Sequence, residues 1–286
     1  APVPGADGGD TLSDLFRSAV LSGNVMKGFL LLSAVADIRP RFSCAAEPAP
    51  PSLAPVKLAD GPARPRLICV STPMAVGGVH QHARVVSHFQ GERHVSALPL
   101  PGFAPGDALP ESTPVMVETV AESVLRAAEG EPFVLLGYSS GGLVSHMVAR
   151  HLEEAGHKLD GLVLIDTFQV DDEAMAAGQE ALALALLEME PAFGRFDSAR
   201  LSGMGYYANL LLDFAPADLD APVLFVQAAE SFVPVPDNDP DAGDMLAAPW
   251  DPAHTLRTAP GNHFTLIQDH AEATARIIRE WLTAPG

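Results

Sequence analysis

The stretch Phe133-Val134-Leu135-Leu136-Gly137-Tyr138-Ser139-Ser140-Gly141-Gly142 decides how this chain is read. Its first four residues are apolar without alternation, the pattern of a strand buried on both faces. The run ends in G-x-S-x-G, and a helical pattern follows. A strand that stops abruptly before a helix is the context of a nucleophile elbow. The turn around Ser139 is too tight for side chains on its near neighbours, so Gly137 and Gly141 flank it. Such a turn lifts the Ser139 hydroxyl off the sheet edge and sets it at a helix N-terminus, where backbone N–H groups stabilise negative charge. Ser140 is not a rival nucleophile, because only Ser139 has glycine two residues away on both sides. An ordinary Gly-rich strand-to-helix turn is the plainer alternative.

The same rhythm extends outward. Leu67-Ile68-Cys69-Val70, residues 94–98, Leu162-Val163-Leu164-Ile165 and Val223-Leu224-Phe225-Val226 read as further strands, with a short one at 255–258. Helices are expected at 80–89, 115–128 and 142–155, with a closing helix at 266–282. Apolar strands alternating with helices predict an α/β fold whose mostly parallel sheet is covered on both faces. The interval 167–219 carries no strand and holds a helix-like run at 180–188 and an apolar patch at 206–212. A long insertion at that point reads as a helical lid or pocket wall; an extra pair of core helices is the plainer reading.

Before the sheet, residues 1–10 read as disordered and 10–22 as an amphipathic helix. Asp10 or Thr11 would cap it, and Leu12, Leu15, Phe16, Ala19 and Val20 lie on one face. Residues 24–37 form a second helix, apolar on nearly every side. A short helix of that kind must be buried all round. A terminal hairpin achieves this by entering the main core or by packing on a copy of itself, and a homodimer is the favoured expectation. Residues 43–65, rich in Pro and Ala, read as an extended surface linker. The expected organisation is a tail with dimerisation helices at 1–42, the linker at 43–65, and a catalytic domain at 66–286 with its lid at 167–219.

Composition narrows the setting. A net charge of −19 over 286 residues argues against nucleic acid and against an anionic membrane surface. Cys44 and Cys69 have no metal spacing and suit a reducing cytosol. No basic start followed by an apolar core marks a signal peptide. The strongly apolar stretch 28–36 is too short to span a bilayer. Arg exceeds Lys by 14 to 3, with abundant Ala, Gly and Pro, as in bacteria with GC-rich genomes such as actinobacteria. The opening Ala-Pro-Val-Pro suggests a piece of a longer protein or an added start.

A serine hydroxyl needs a base. In the α/β-hydrolase order Ser…Asp…His, the base lies last, before the final helix. Of ten histidines, His263 in Gly261-Asn262-His263-Phe264 fits; His254 and His270 lie on either side. Two acids end successive strands, Asp166 and Glu230, both where α/β sites form, and spacing alone does not choose between them. For the oxyanion, backbone N–H donors are expected from Ser140 and from the loop Ser71-Thr72-Pro73, where Pro73 has no N–H and Thr72 is the candidate.

These residues resemble a known family. Gly137-Tyr138-Ser139-Ser140-Gly141, Leu162-Val163-Leu164-Ile165-Asp166, Gly261-Asn262-His263-Phe264-Thr265 and the early Thr11-Leu12-Ser13-Asp14-Leu15-Phe16-Arg17 are similar to the terminal thioesterase domain of modular type I polyketide synthases. The match runs along nearly the whole chain. It implies the α/β-hydrolase fold, with an N-terminal dimer hairpin and a lid over a substrate channel. It assigns the acid to Asp166 and leaves Glu230 a structural role. It implies release of a polyketide from an acyl carrier protein through an acyl-serine, as a linear acid or a macrolactone, with no cofactor beyond the carrier's phosphopantetheine. Tyr138, Met175, Leu182, Leu186, Tyr206, Tyr207 and Leu210 would line the channel, and Arg17, Arg39, Arg41, Arg84 and Arg93 are candidates for carrier docking. Tyr138 and Ser140 replace the His and Ala frequent in the family. A freestanding editing thioesterase, a secreted serine esterase and a non-catalytic binding module are the alternatives.

Overall fold

In the computed structural model, the described residues are 11–44, 53–168, 172–193, 195–212, 214–231 and 255–284, without the side chains of 172–177, 192 and 193. Two short strands, β1 (Arg41–Phe42) and β4 (Leu109–Pro110), pair with each other. The other strands form one sheet: β2 (Val56–Val70), β3 (Arg93–Leu98), β5 (Phe133–Tyr138), β6 (Gly161–Ile165), β7 (Val223–Ala228) and β8 (Thr255–Ala259). Their order is β3-β2-β5-β6-β7-β8. The ladders inward from β2 are parallel, aligning Leu67 with Val134, Leu135 with Leu162 and Leu162 with Val223.

Successive residues of each strand point to opposite faces, so each apolar run feeds two cores. Ile68, Leu135, Leu164 and Phe225 pack with Val120 and Val124 of α4 (Thr113–Ala128) and Val144 and Val148 of α5 (Ser140–Glu154). Leu67, Val134, Val163 and Leu224 pack with Val85 and Val86 of α3 (Ala83–Ser87) and Ala275 and Ile278 of α8 (Ala271–Thr283). The α/β class and the mostly parallel sheet covered by helices are therefore as the sequence predicts.

A separate helical layer joins α1 (Leu12–Leu21), α2 (Val25–Asp37), α6 (Asp172–Phe193) and α7 (Ser198–Leu210) around Phe16, Val20, Leu32, Leu186, Leu201 and Met204. Ala75, from the loop after β2, belongs to the same cluster and connects this layer to the sheet. The fit is close: a β-carbon on Gly205 of α7 would meet Leu32 Cβ at 2.5 Å. Thr11 caps α1 reciprocally with Asp14. Buried Glu190 of α6 accepts from Ser13 Oγ at 3.0 Å and from the Phe196 N–H at 3.3 Å, and pairs with Arg17.

Several expectations change. The 43–65 stretch includes the first half of β2. There the partners on β3 fall from Ala97 to Arg93 as the chain advances from Val56 to Pro62, then rise from Val95 to Leu98 over Leu67–Val70. Val95 faces both Ala59 and Leu67. One strand cannot offer the same edge twice, so the first arm runs antiparallel along the outer edge of β3, where proline's missing N–H is tolerated. The helix expected at 80–89 is a 3₁₀ turn (Val79–His82) followed by α3. The closing helix begins at Ala271 rather than 266, because residues 263–270 form turns. Nor is α2 buried all round: Val25, Gly28, Leu32 and Ala36 face inward, while Met26 and Leu30 stand 57% and 62% exposed. Residues 1–10 and His254 lie outside the described residues.

Candidate active site

The site assembles at the C-terminal ends of β5 and β6. Ser139 follows β5 directly and α5 begins at the next residue. Its backbone is forced to φ 54° and ψ −137°, a conformation that side-chain-bearing residues rarely adopt. Two bonds hold it there, Ser139 N–H to the Ile165 carbonyl at 2.9 Å and Gly142 N–H to the Ser139 carbonyl at 2.9 Å. A β-carbon on Gly137 would stand 2.5 Å from the Gly141 oxygen, so the first glycine of the motif is sterically required.

Asp166 follows β6, also at positive φ (44°). One carboxylate oxygen accepts the Ala228 N–H at 2.8 Å, and the other lies 2.7 Å from His263 Nδ1. The opposite ring nitrogen, Nε2, lies 3.1 Å from Ser139 Oγ. His263 rides on a turn made rigid by Asn262, whose side-chain oxygen accepts from the N–H groups of Phe264 and Thr265, each at 3.1 Å. Asp166 and His263 are buried, whereas Ser139 is partly open. Glu230 is exposed, and its backbone N–H is bound to the Gly261 carbonyl. Buried Cys69 is no competing nucleophile, since burial pushes its thiol up to about 12.

Ser139 and His263 open into a cavity of about 460 Å³. Met74, Val76, Leu182, Leu186, Met189 and Ile267 give it an apolar wall, and Tyr138 and Thr72 also border it. Of the expected channel residues, Tyr138, Leu182 and Leu186 are thus at the cavity. The Met175 side chain lies outside the described residues. Tyr206, Tyr207 and Leu210 are elsewhere, and the expectation for them is corrected: α7 is a core helix, buried continuously from Leu201 to Tyr207. The Tyr207 hydroxyl donates to the Pro101 carbonyl at 3.1 Å, the Tyr206 hydroxyl donates to the Pro110 carbonyl, and Leu210 packs on the main core. Apolar residues on consecutive positions mark a helix enclosed on many sides, not a pocket wall.

The oxyanion side holds a group that sequence reasoning missed. The Ser140 N–H opens α5 and has no acceptor within the helix. The Thr72 N–H donates to Gln81 Oε1 at 3.1 Å, and the Gly78 N–H donates to the same oxygen at 3.2 Å. Gln81 Nε2 donates to Thr72 Oγ1 at 2.7 Å, and that hydroxyl donates to the Tyr138 carbonyl at 3.0 Å. One carboxamide thus ties the 72–78 loop together and binds it to the elbow. A lone Gln beside His80 and His82 carries no sequence signal for this. Arg200 of α7 donates to the Ala75 and Gly77 carbonyls of the loop at 3.0 and 2.9 Å.

Two of the arginines expected at a docking face are turned inward. Arg39 donates to the carbonyls of Ala199, Gly102 and Asp107, and Arg93 is 2% exposed and bound to the Pro65 carbonyl. Arg84 stands at the surface, 3.5 Å from Asp269.

Comparison with known proteins agrees with this geometry. The thioesterase domain family matches residues 65–282. The polyketide synthase GfsE of Streptomyces halstedii is 37% identical over 96% of this chain, and the erythronolide synthase EryA3 of Saccharopolyspora erythraea is 34% identical over 98%. The chain spans 7% and 8% of those two proteins. Among solved structures, the NocB thioesterase domain from the nocardicin cluster superposes with a TM-score of 0.62 over 81% of this chain and 99% of its own, at 22% identity. The Vlm2 thioesterase domain gives 0.58 over 82% and 100%, at 20% identity. The sheet, the elbow and the family match together make this chain a member of the thioesterase domain family, with the α/β-hydrolase fold.

Proposed function

We propose that this domain releases a completed polyketide from an acyl carrier protein, with Ser139 as nucleophile, His263 as general base and Asp166 orienting the imidazole. The observation that carries the reading is the unbroken contact from Asp166 through His263 to Ser139 at the edge of an apolar cavity. Ser139 Oγ attacks the thioester carbonyl while His263 Nε2 takes its proton. Asp166 stabilises the imidazolium, and the tetrahedral oxyanion is held by the N–H groups of Ser140 and Thr72. For Thr72 this means exchanging the neutral Gln81 oxygen for a charged one, the stronger acceptor. The C–S bond breaks, the carrier thiol leaves with the proton from His263, and an acyl-serine remains. Water, giving a linear acid, or a hydroxyl of the chain itself, giving a macrolactone, then attacks the acyl carbon as His263 takes its proton; the bond to Ser139 Oγ breaks and His263 returns the proton to Ser139. Each proton in this scheme moves between side chains, the carrier thiol and the attacking water or chain hydroxyl; the phosphopantetheine belongs to the carrier.

The two synthases, similar along almost the whole of this chain, support the polyketide substrate and the bacterial cytoplasm as setting. The apolar wall of Leu182, Leu186 and Met189 suits an acyl chain. The exposed Met26 and Leu30 of α2 support a homodimer through residues 12–37, ahead of a catalytic domain whose sheet already begins at Val56. The carrier must find a local basic patch on an acidic surface, and Arg17, Arg41 and Arg84 are its remaining candidates.

The test is covalent. A fluorophosphonate should add once, on Ser139, with the site mapped by mass spectrometry, and an acyl-pantetheine thioester should be turned over to acid or lactone. No adduct and no turnover would leave a binding module.

A further inference from the structure

Tyr138 occupies the position just before the nucleophile, and it touches His263 twice. Its ring stacks on the imidazole, with centroids 4.9 Å apart and planes at 26°. Its hydroxyl donates to the His263 backbone carbonyl at 2.8 Å. The contact joins the elbow to a loop 125 residues later in the chain. Burial, with the Asp166 carboxylate nearby, pushes the phenol well above its ordinary range, so it stays a donor throughout the working pH range.

The chemistry gives this stack a task. Phe168 and Phe264 also border the imidazole, at 5.3 and 5.2 Å, which makes its surroundings largely aromatic. A cation formed there has little water to solvate it. Asp166 answers the charge at Nδ1. The face of an electron-rich ring within about 6 Å answers it from above the ring plane.

We propose that Tyr138 is a positioning residue for the base: its hydroxyl fixes the loop that carries His263, and its ring stabilises the imidazolium formed as Ser139 loses its proton. The inference rests on the reading of Ser139, His263 and Asp166 given above. Among the described residues, the titratable groups seen at the imidazole include Asp166 from the end of β6 and Ser139 and Tyr138 from the elbow, with Asp269 lining the same cavity. Phe168 and Phe264 bring no charge.

The sign follows from the cation. A ring that favours the imidazolium makes its formation easier, so removing the ring should move the acid limb of the labelling-rate profile to lower pH. The experiment is the pH dependence of the rate constant for fluorophosphonate labelling of Ser139 in wild type, Tyr138→Phe and Tyr138→Leu. The rates are compared at a temperature where circular dichroism shows each variant fully folded across the pH range, because a partly unfolded variant would scale the observed rate constant. Tyr138→Phe, which keeps the ring, should label about two- to tenfold more slowly with an unmoved midpoint. Tyr138→Leu should be slower still, with its midpoint lower by about half a pH unit or more. A Leu midpoint at or above that of wild type, or a Phe rate constant equal to wild type, would overturn the inference while leaving the triad standing. An unlabelled Ser139 in the wild type would overturn both.

Discussion

At the elbow, a β-carbon added to Gly142 would lie 2.0 Å from Thr167 Oγ1, and Ser139 and Asp166 are held at strained backbone angles by named hydrogen bonds. On α2, by contrast, Met26 and Leu30 point away from the chain that made them. The first region is finished within one chain, and its shape is fixed to fractions of an ångström. The second leaves apolar side chains uncovered, as the proposed homodimer requires. Large apolar side chains exposed together on a helical face mark a surface that another molecule covers. Precision is concentrated at the elbow, and the outer helical layer is the less enclosed of the two regions.

Substitutions separate the two regions. The largest effect belongs to Ser139→Ala, which should abolish thioester turnover while circular dichroism and melting stay those of the parent; residual turnover near wild type would remove Ser139 from the site. Asp166→Asn should lower kcat by about 10³ to 10⁴ through the wrong imidazole tautomer, with KM little changed. Gly137→Ala should destabilise the fold by roughly 1–3 kcal/mol, seen as a fall in Tm, since backbone rather than a flexible side chain blocks the new methyl. Leu30→Glu should leave turnover of a soluble thioester within about twofold and convert a dimer to a monomer on analytical ultracentrifugation; an unchanged sedimentation coefficient would break the comparison on the α2 side. Smallest is Glu230→Gln, within experimental error of wild type, because that side chain is exposed and, among the described residues, the acid bonded to His263 is Asp166.

The same contrast governs what was legible in the sequence. Strands buried on both faces announce themselves as apolar runs, and the elbow adds its two flanking glycines, so β5, the sheet and Ser139 were readable from residue type alone. His263 followed from its place before the last helix. The choice of Asp166 over Glu230 needed the family resemblance, because strand-end position is common to both. In the structure the difference is three-dimensional: Asp166 reaches both the Ala228 N–H and His263. The outer arm of β2 was hidden because prolines on an edge strand look like linker. α7 looked like lid because burial from several sides and burial against a substrate write the same apolar letters. Gln81 left no trace, since its partners are backbone groups, which every sequence has.

Glu190 has a consequence for anyone wishing to re-engineer this domain. It lies on α6 beside Met189, which faces the cavity, and it ties that helix to Arg17 and Ser13 of α1. One side of the helix meets the substrate space while the other is bolted to the hairpin. Libraries aimed at new chain lengths should therefore vary Leu182 and Met189, which are only partly enclosed, and spare Leu186 and Glu190, which also hold the helical layer together.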